Sequence, residues 1–372
     1  MTFTPPSTMR ALRTQHTKHK SVAVETVPLH LSDDDESATQ LTPDEVLVRV
    51  RAVGINPTDA KHALGTGAED WGSAGLVCGC DGAGDVVMVG AEVKDVNVGD
   101  RVAGFAYGTH HPTNGSYAEY VRYRASATLA LPAAMSYAQG AALPIPHMTA
   151  VQALYMRMHL PPPSQGGAAG RMLIWGGGTA VGHHAIQLAK LSGLDVVAVA
   201  SKSNHEALKS LGASHCVDYH DSDVVKQIQA VGKIEYGLDC VVEKGSTKNM
   251  IDAMQGGHIV LLLPPSDEDT AAQEANGGKL EMTLAYTVIG RAITFAKVMP
   301  FPAMPEDRKA IAQWSAKEFP ALFEGWKQEA NRSERFVGAT LREMPGGLEG
   351  IEKGFRDSLE GKVRAEKLVY TL

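Results

Sequence analysis

The stretch Leu173-Ile174-Trp175-Gly176-Gly177-Gly178-Thr179-Ala180-Val181-Gly182 decides the architecture of this chain. A short apolar strand over 172–175 runs into a glycine-rich turn. The turn opens a helix over 181–191 that puts Val181, Ala185, Leu188 and Ala189 on one face. Free backbone N–H groups at a helix start, with the positive end of the helix dipole, suit a pyrophosphate. The match to Gly-x-Gly-x-x-Gly is imperfect: with Gly177 and Gly182 as the outer glycines, Thr179 takes the middle place. The next strand, over 196–200, makes the turn part of a βαβ unit. At its end, Ala200-Ser201-Lys202-Ser203-Asn204 offers no Asp or Glu to a ribose 2′-hydroxyl. A lysine, two hydroxyls and an amide suit a 2′-phosphate instead, with Tyr219 at the end of a third strand, so the pattern reads as NADP(H) rather than NAD.

Outward from this unit, a helix over 205–211 and apolar strands over 238–242 and 259–263 continue the alternation. Continuous rather than alternating apolarity suits a parallel sheet covered on both faces. On the N-terminal side, runs over 22–27, 45–53, 86–89 and 117–123 read as short strands, and Val98-Gly99-Asp100-Arg101-Val102 as a tight turn entering another. That half reads as a β-rich, barrel-like domain. The acidic run Asp33-Asp34-Asp35-Glu36 reads as a solvated loop. The character changes near Ala141: a helix over 148–158 ends at Pro161-Pro162-Pro163, and 161–170 is loop. A long amphipathic helix over 308–329 precedes strand, helix and strand over 336–372. There is no internal repeat.

Composition bounds the function. The 372 residues suggest about two domains. A net charge of −7 without a basic tract argues against nucleic acid and anionic membrane as partners. Four cysteines, Cys78, Cys80, Cys216 and Cys240, are too few for a disulfide scaffold and point to a reducing, cytoplasmic setting. No apolar run has the length of a transmembrane helix, and the first 13 residues lack the apolar region of a signal peptide.

Six motifs stand in order: Gly54-Ile55-Asn56-Pro57-Thr58-Asp59-Ala60-Lys61, Gly79-Cys80-Asp81-Gly82-Ala83-Gly84, the 98–102 turn, Gly115-Ser116-Tyr117-Ala118-Glu119-Tyr120-Val121, the 176–182 turn, and Gly361-Lys362-Val363-Arg364-Ala365-Glu366-Lys367-Leu368-Val369-Tyr370. Together they resemble the medium-chain dehydrogenase/reductase superfamily, its zinc-independent quinone and enoyl reductase branch, and most narrowly the fungal trans-acting enoyl reductases of polyketide synthases. The resemblance implies an α/β protein: a GroES-like β-rich catalytic domain over 1–145, a Rossmann doubly wound parallel sheet over 146–305, and completion of the catalytic domain by 306–372. It implies cofactor contacts from Gly177, Gly178, Thr179 and Ala180, from Ser201, Lys202, Ser203, Asn204 and Tyr219, and from Asn56, Thr58 and Asp59. Leu263, Pro264, Val363 and Arg364 would line the nicotinamide end.

The zinc-dependent relatives need an early cysteine, a Gly-His-Glu motif and a third ligand. Here those places read Asn56-Pro57-Thr58-Asp59 and Gly79-Cys80-Asp81, which implies no metal. Without a Lewis acid, hydride transfer to the β-carbon of an activated double bond needs donors for the developing enolate. The resemblance places Lys61 and Thr149 there. It puts Pro144, Ile145, Pro146, His147, Met148, Ala150 and Val151, with Leu284, Ala285, Tyr286, Thr287 and Val288, against the substrate. His147 is a tempting acid that no motif supports. The expected activity is NADPH-dependent reduction of an unsaturated acyl thioester, small or carrier-bound, with a polyketide synthase as partner and the reductase itself a monomer. A free-standing quinone or small-enone reductase and a cofactor-binding protein without turnover remain the alternatives.

Overall fold

The run of β-branched residues at 45–53 forms the centre of a seven-stranded sheet in the structure, a computed structural model describing residues 3–15, 21–35, 37–65, 74–295, 298–324 and 335–372. Two units are formed. The first comprises Met1–Ile145, Tyr286–Lys317 and Thr340–Leu372, the second Pro146–Ala285 and Glu318–Ala339.

The first unit begins with a hairpin, β1 (Thr8–Gln15) and β2 (Ser21–Pro28). Then come β3 (Glu45–Gly54), α1 (Pro57–Leu64), β4 (Asp81–Val89), β5 (Arg101–Phe105), β6 (Tyr120–Arg124), β7 (Thr128–Ala130) and α2 (Tyr137–Ala141). The second unit takes up α3 (Pro144–Val151) from its third residue. Its sheet strands are β8 (Arg171–Trp175), β9 (Asp195–Val199), β10 (His215–Val217), β11 (Tyr236–Asp239), β12 (His258–Leu261) and β13 (Lys279–Met282). Between them lie α4 (Ala180–Ser192), α5 (His205–Leu211), α6 (Val224–Ala230), α7 (Ser246–Met254) and α8 (Asp267–Ala275). The strands β14 (Ile293–Phe295) and β15 (Met299–Phe301) and α9 (Pro305–Gln313) return to the first unit, and α10 (Phe319–Glu324) to the second. Strand β16 (Leu341–Met344), α11 (Gly347–Leu359) and β17 (Lys367–Thr371) complete the first.

The second unit's sheet runs β10-β9-β8-β11-β12-β13, all parallel, so the order of strands reverses between β8 and β11. That is the doubly wound dinucleotide-binding order, with its ligand crevice at the carboxyl ends of the strands beside the reversal. The first unit's main sheet runs β16-β17-β3-β4-β5-β7, with β6 also on β3. Its core holds Val48, Val53, Tyr117, Tyr123, Phe355 and Tyr370. No helix among the described residues is long and apolar enough to cross a membrane.

Several expected bounds move. The stretch 286–305, expected with the parallel sheet, lies in the first unit, where Arg291 pairs with Glu45 at 2.9 Å. Conversely 318–339, expected with the returning segment, lies in the second, because Phe319 and Phe336 pack on His147. The helix expected over 148–158 starts at Pro144 and passes into a π-helical stretch, Gln152–Arg157. The helix expected over 308–329 is interrupted by a π-helical stretch, Trp314–Glu318, and its positions 325–329 lie outside the described residues. The strand expected over 117–123 begins at Tyr120, and that over 259–263 ends at Leu261. The acidic run is not simply solvated. Asp33 pairs with Arg122 and lies 3.2 Å from His111 and 3.6 Å from Arg291. Against the cost of burial, the Arg122 guanidinium holds its carboxyl below the usual carboxylate range. Glu36 lies outside the described residues.

One buried ion pair ties distant segments of the first unit. Lys367 on β17 pairs with Asp81 on β4, with side chains 1% and 0% exposed. Lys367 Nζ also donates to Asn56 Oδ1 at 2.7 Å, and the Asn56 amide donates to Asp81 at 2.9 Å. The other Asp81 oxygen accepts the Ile145 N–H at 2.9 Å. Removing one partner strands a buried charge, which costs about 3–5 kcal/mol. Lys367→Met is therefore expected to lower unfolding free energy by about that amount, and Lys367→Met with Asp81→Asn by distinctly less. Denaturant titration of the two variants checks this, and equal losses would contradict it.

Candidate functional site

At the carboxyl end of β8 the backbone turns through Gly176, whose φ of +83° favours glycine. A Cβ at Gly182 would lie 2.4 Å from the Gly176 carbonyl oxygen, so only glycine lets α4 start this close to the turn. Thr179, in the middle place of the expected motif, is the N-cap: its Oγ1 accepts the Gly182 N–H at 3.0 Å. Gly176 and Gly177 both donate to Val199 O at 3.0 Å, which joins the turn to β9. Gly178, Ala180 and Val181 then present the amides of a helix N-terminus, the part of the fold that suits a pyrophosphate.

The neighbouring strand ends bring the second predicted group together. Ser201 Oγ donates to the Tyr219 hydroxyl at 3.0 Å, because β9 and β10 are adjacent parallel strands. Lys202, Ser203 and Asn204 form a single 3-10 turn, with the Lys202 and Ser203 side chains exposed. Leu263 is half-buried and Pro264 exposed, just beyond β12 at the same edge.

Two features of this edge escape sequence reading. Asp218 Oδ2 accepts the Lys202 N–H at 3.1 Å, and its Oδ1 accepts the His220 N–H at 3.0 Å. Asp239 ends β11 earlier than the expected 238–242 strand. Its Oδ1 accepts the Val241 and Val242 N–H groups at 2.9 Å, and its Oδ2 accepts the Ser246 and Thr247 hydroxyls at 2.6 and 2.9 Å. Val242 is held at φ +53°, rare for a β-branched residue. An acidic residue at or just past the end of a strand is the trace each carboxylate leaves in the sequence.

In the first unit, Asn56 and Asp59 are buried and their polar atoms engaged. Asp59 Oδ2 accepts from the Asn56 N–H at 2.8 Å and lies 2.9 Å from the Tyr117 hydroxyl, while its Oδ1 accepts the Cys80 N–H at 2.9 Å. Both residues therefore hold α1 in place. Thr58 Oγ1 and Cys80 Sγ each lie 3.2 Å from the Tyr286 hydroxyl. Tyr286, expected against substrate, is thus packed into the first unit beside Tyr107 and Phe105. Lys61 lies on α1, partly buried. Val363 and Arg364 lie in the loop before β17, where Arg364 Nε reaches the Gly361 carbonyl at 3.4 Å.

The segment Pro144, Ile145, Pro146, His147, Met148, Thr149, Ala150 and Val151 is buried throughout, as are Leu284, Ala285, Thr287 and Val288. Thr149 is 6% exposed and belongs to the second unit, Lys61 to the first. His147 is fully buried. The rings of His184, Phe319 and Phe336 surround it at 5.6, 5.3 and 5.2 Å. Burial pushes its imidazole down to about 3, which removes it as an acid near neutrality.

Comparison with known proteins agrees with this geometry. Residues 42–133 match the alcohol dehydrogenase GroES-like domain and residues 180–301 the zinc-binding dehydrogenase family. The chain is 35% identical to the trans-enoyl reductase mpsG of Macrophomina phaseolina, over 90% of this chain and 93% of that one. It is 33% identical to the trans-enoyl reductase caaB of Aspergillus niger, over 91% and 93%. The quinone oxidoreductase of Coxiella burnetii superposes with a TM-score of 0.68 over 98% of this chain and 99% of that one, and at 24% identity shows the shared fold.

The zinc that the second family's description implies does not fit the residues present. Thr58 is a hydroxyl where a soft ligand is needed, and the buried Cys80 Sγ lies 3.2 Å from the Tyr286 hydroxyl. Asp81 is taken by Lys367.

The His147 environment makes stability depend on pH. Unfolded, the imidazole binds a proton below about 6.5, whereas folded it stays neutral down to about 3. Above pH 6.5 or so both states hold the imidazole neutral and this group adds no pH dependence, and below that stability falls by about 1.4 kcal/mol per pH unit from this group. Unfolding free energies between pH 7 and pH 5 or so should show a steeper decline for the wild type than for His147→Leu. Parallel declines would assign the acid sensitivity elsewhere.

Proposed function

Because this chain belongs to the medium-chain dehydrogenase/reductase superfamily, in the branch that holds the fungal trans-enoyl reductases, we propose that it is an NADPH-dependent enoyl reductase acting in trans on acyl chains carried by a polyketide synthase. It is an oxidoreductase whose fold takes a nicotinamide cofactor, and the cofactor supplies hydride when bound. The observation that carries the choice of NADPH is the carboxyl end of β9. There the Ser201 and Tyr219 hydroxyls meet, the exposed Lys202 follows Ser201 in the chain, and the place that an NAD site gives to Asp or Glu holds none. The nearby Asp218 has both oxygens engaged by Lys202 and His220. The α4 N-terminus with Gly177, Gly178, Thr179 and Ala180 would hold the pyrophosphate, and Leu263, Pro264, Val363 and Arg364 belong to the nicotinamide end of this reading.

Reduction adds hydride at the β-carbon and a proton at the α-carbon. Negative charge builds on the thioester oxygen between these events, and fixed donors lower that barrier. The reading gives Lys61 a charge-assisted bond to that oxygen or to the ribose, and gives Thr149 a neutral one. The apolar residues of α3 and of 284–288 shape the acyl site.

Purified protein should oxidise NADPH with a crotonyl thioester and lose nothing on treatment with a chelator. Turnover of quinones alone would instead make it a free-standing quinone reductase, and tight NADPH binding without turnover a cofactor-binding protein. Lys202→Ala should weaken NADPH about 10- to 100-fold in a fluorescence titration and hardly change NADH. Equal losses for both cofactors would remove the 2′-phosphate assignment.

The two proposed donors differ in their expected effect. Lys61→Ala should lower kcat by about 100-fold, comparable to losing an oxyanion donor, and Thr149→Val by about tenfold. Thermal melts of the same samples separate lost chemistry from lost fold. Wild-type kcat in both variants would mean the donors lie elsewhere.

A further inference from the structure

The loops after β9 and β10 diverge as soon as their ladder ends. The last backbone bond between them is Ala200 N–H to Val217 O at 3.1 Å. Beyond it the Lys202 N–H has no strand partner to reach, and the Asp218 carboxylate takes it through Oδ2 at 3.1 Å. The same carboxylate turns its own loop: Oδ1 accepts the His220 N–H at 3.0 Å and the His220 Nδ1–H at 2.7 Å. Between these anchors Tyr219 projects outward, half exposed, with its hydroxyl 3.0 Å from Ser201 Oγ.

We propose that Asp218 is the positioning residue that gives this cofactor site its selectivity for a 2′-phosphate, by fixing the Lys202 backbone and the Tyr219–His220 loop from one carboxylate. The inference rests on the NADPH reading and deepens it. An acidic side chain beside a phosphate site is ordinarily a repulsive element. Here its oxygens point into backbone and ring N–H groups. The His220 amide and side chain, with the Lys202 amide, hold its carboxyl below the usual range, so it stays an acceptor at neutral pH. The carboxylate thus serves the scaffold, and in this reading the Ser201 and Tyr219 hydroxyls and the exposed Lys202 side chain are left for the ligand. In an NAD site the acid at the end of the second strand binds the ribose directly. Here the acid stands one strand further on and organises the groups that replace it.

The selectivity is what the role predicts. NADH makes no use of a 2′-phosphate pocket, so a loosened 201–204 turn costs only NADPH. A general loss of structure would cost both cofactors. Binding of NADPH and of NADH to the full chain, followed by tryptophan or cofactor fluorescence, separates the two. In Asp218→Ala the NADPH dissociation constant should rise about fivefold to twentyfold, the worth of one or two lost hydrogen bonds, with NADH held within about twofold. The Michaelis constant for NADPH should rise with kcat at saturation unchanged. Asp218→Asn keeps a carbonyl acceptor for the Lys202 N–H and should recover most of the NADPH affinity. Equal weakening of both cofactors, no change in either, or an Asp218→Asn as weak as Asp218→Ala would overturn the inference. A wild-type protein that binds NADH as tightly as NADPH would overturn the NADPH reading itself, and the inference with it.

Discussion

The first unit depends on a charge pair that water never reaches. Asp81 and Lys367 lie 286 positions apart in the sequence, and each is of no use buried without the other. Around them Asn56 supplies both a donor and an acceptor, and the Ile145 amide takes up the remaining carboxylate oxygen. Burial pushes the Asp81 carboxyl up while the Lys367 ammonium pulls it down, so the pair holds its charges only as a satisfied network. One strand end, one helix cap, one helix start and β17 are thereby fixed against one another. Hydrophobic packing of Val53, Tyr117 and Tyr370 could tolerate small displacements, but a buried ion pair with directional bonds cannot.

Carboxylates organise the rest of the molecule in the same way. Asp59 gathers the start of α1 and the Cys80 amide, and Asp239 gathers the loop after β11. Each stands where a strand or helix begins or ends, and each collects N–H or O–H groups that regular structure leaves without partners. Parallel strands deliver their loops to one edge, and these acceptors then give the loops a shape. The strained φ of Val242 persists because Asp239 holds the amides of Val241 and Val242 together.

Much of this architecture was legible because it is periodic. The apolar strands, the helix after the glycine turn and the change from β-rich to alternating structure all leave regular patterns, and the resemblance of six ordered motifs gave the superfamily. The meeting of Ser201 and Tyr219 was also legible, since consecutive parallel strands end side by side. What escaped was set by single polar atoms or by long-range partners. Asp218 and Asp239 look like ordinary loop acids in one dimension. His147 is tempting as an acid in one dimension although no motif supports that role, and rings from 184, 319 and 336, further along the chain, enclose it. The same distance explains why 286–305 and 318–339 changed places: an amphipathic stretch does not say which core it will meet.

The position of β17 has a consequence for how the protein is made. It lies inside its sheet, between β16 and β3, although it is translated more than 300 residues after β3. During synthesis β6 can cover Glu45–Arg49 of β3, but Ala52–Gly54, the part that β17 pairs, emerges with an open edge, and open edges invite pairing with other chains. The six parallel strands of the second unit, by contrast, all leave the ribosome between 171 and 282. Their sheet can assemble while the first unit still waits for its closing strand. A nascent chain stalled before 367 would thus carry a completed dinucleotide-binding sheet beside an unfinished one, and the unfinished sheet is where chaperone binding should concentrate.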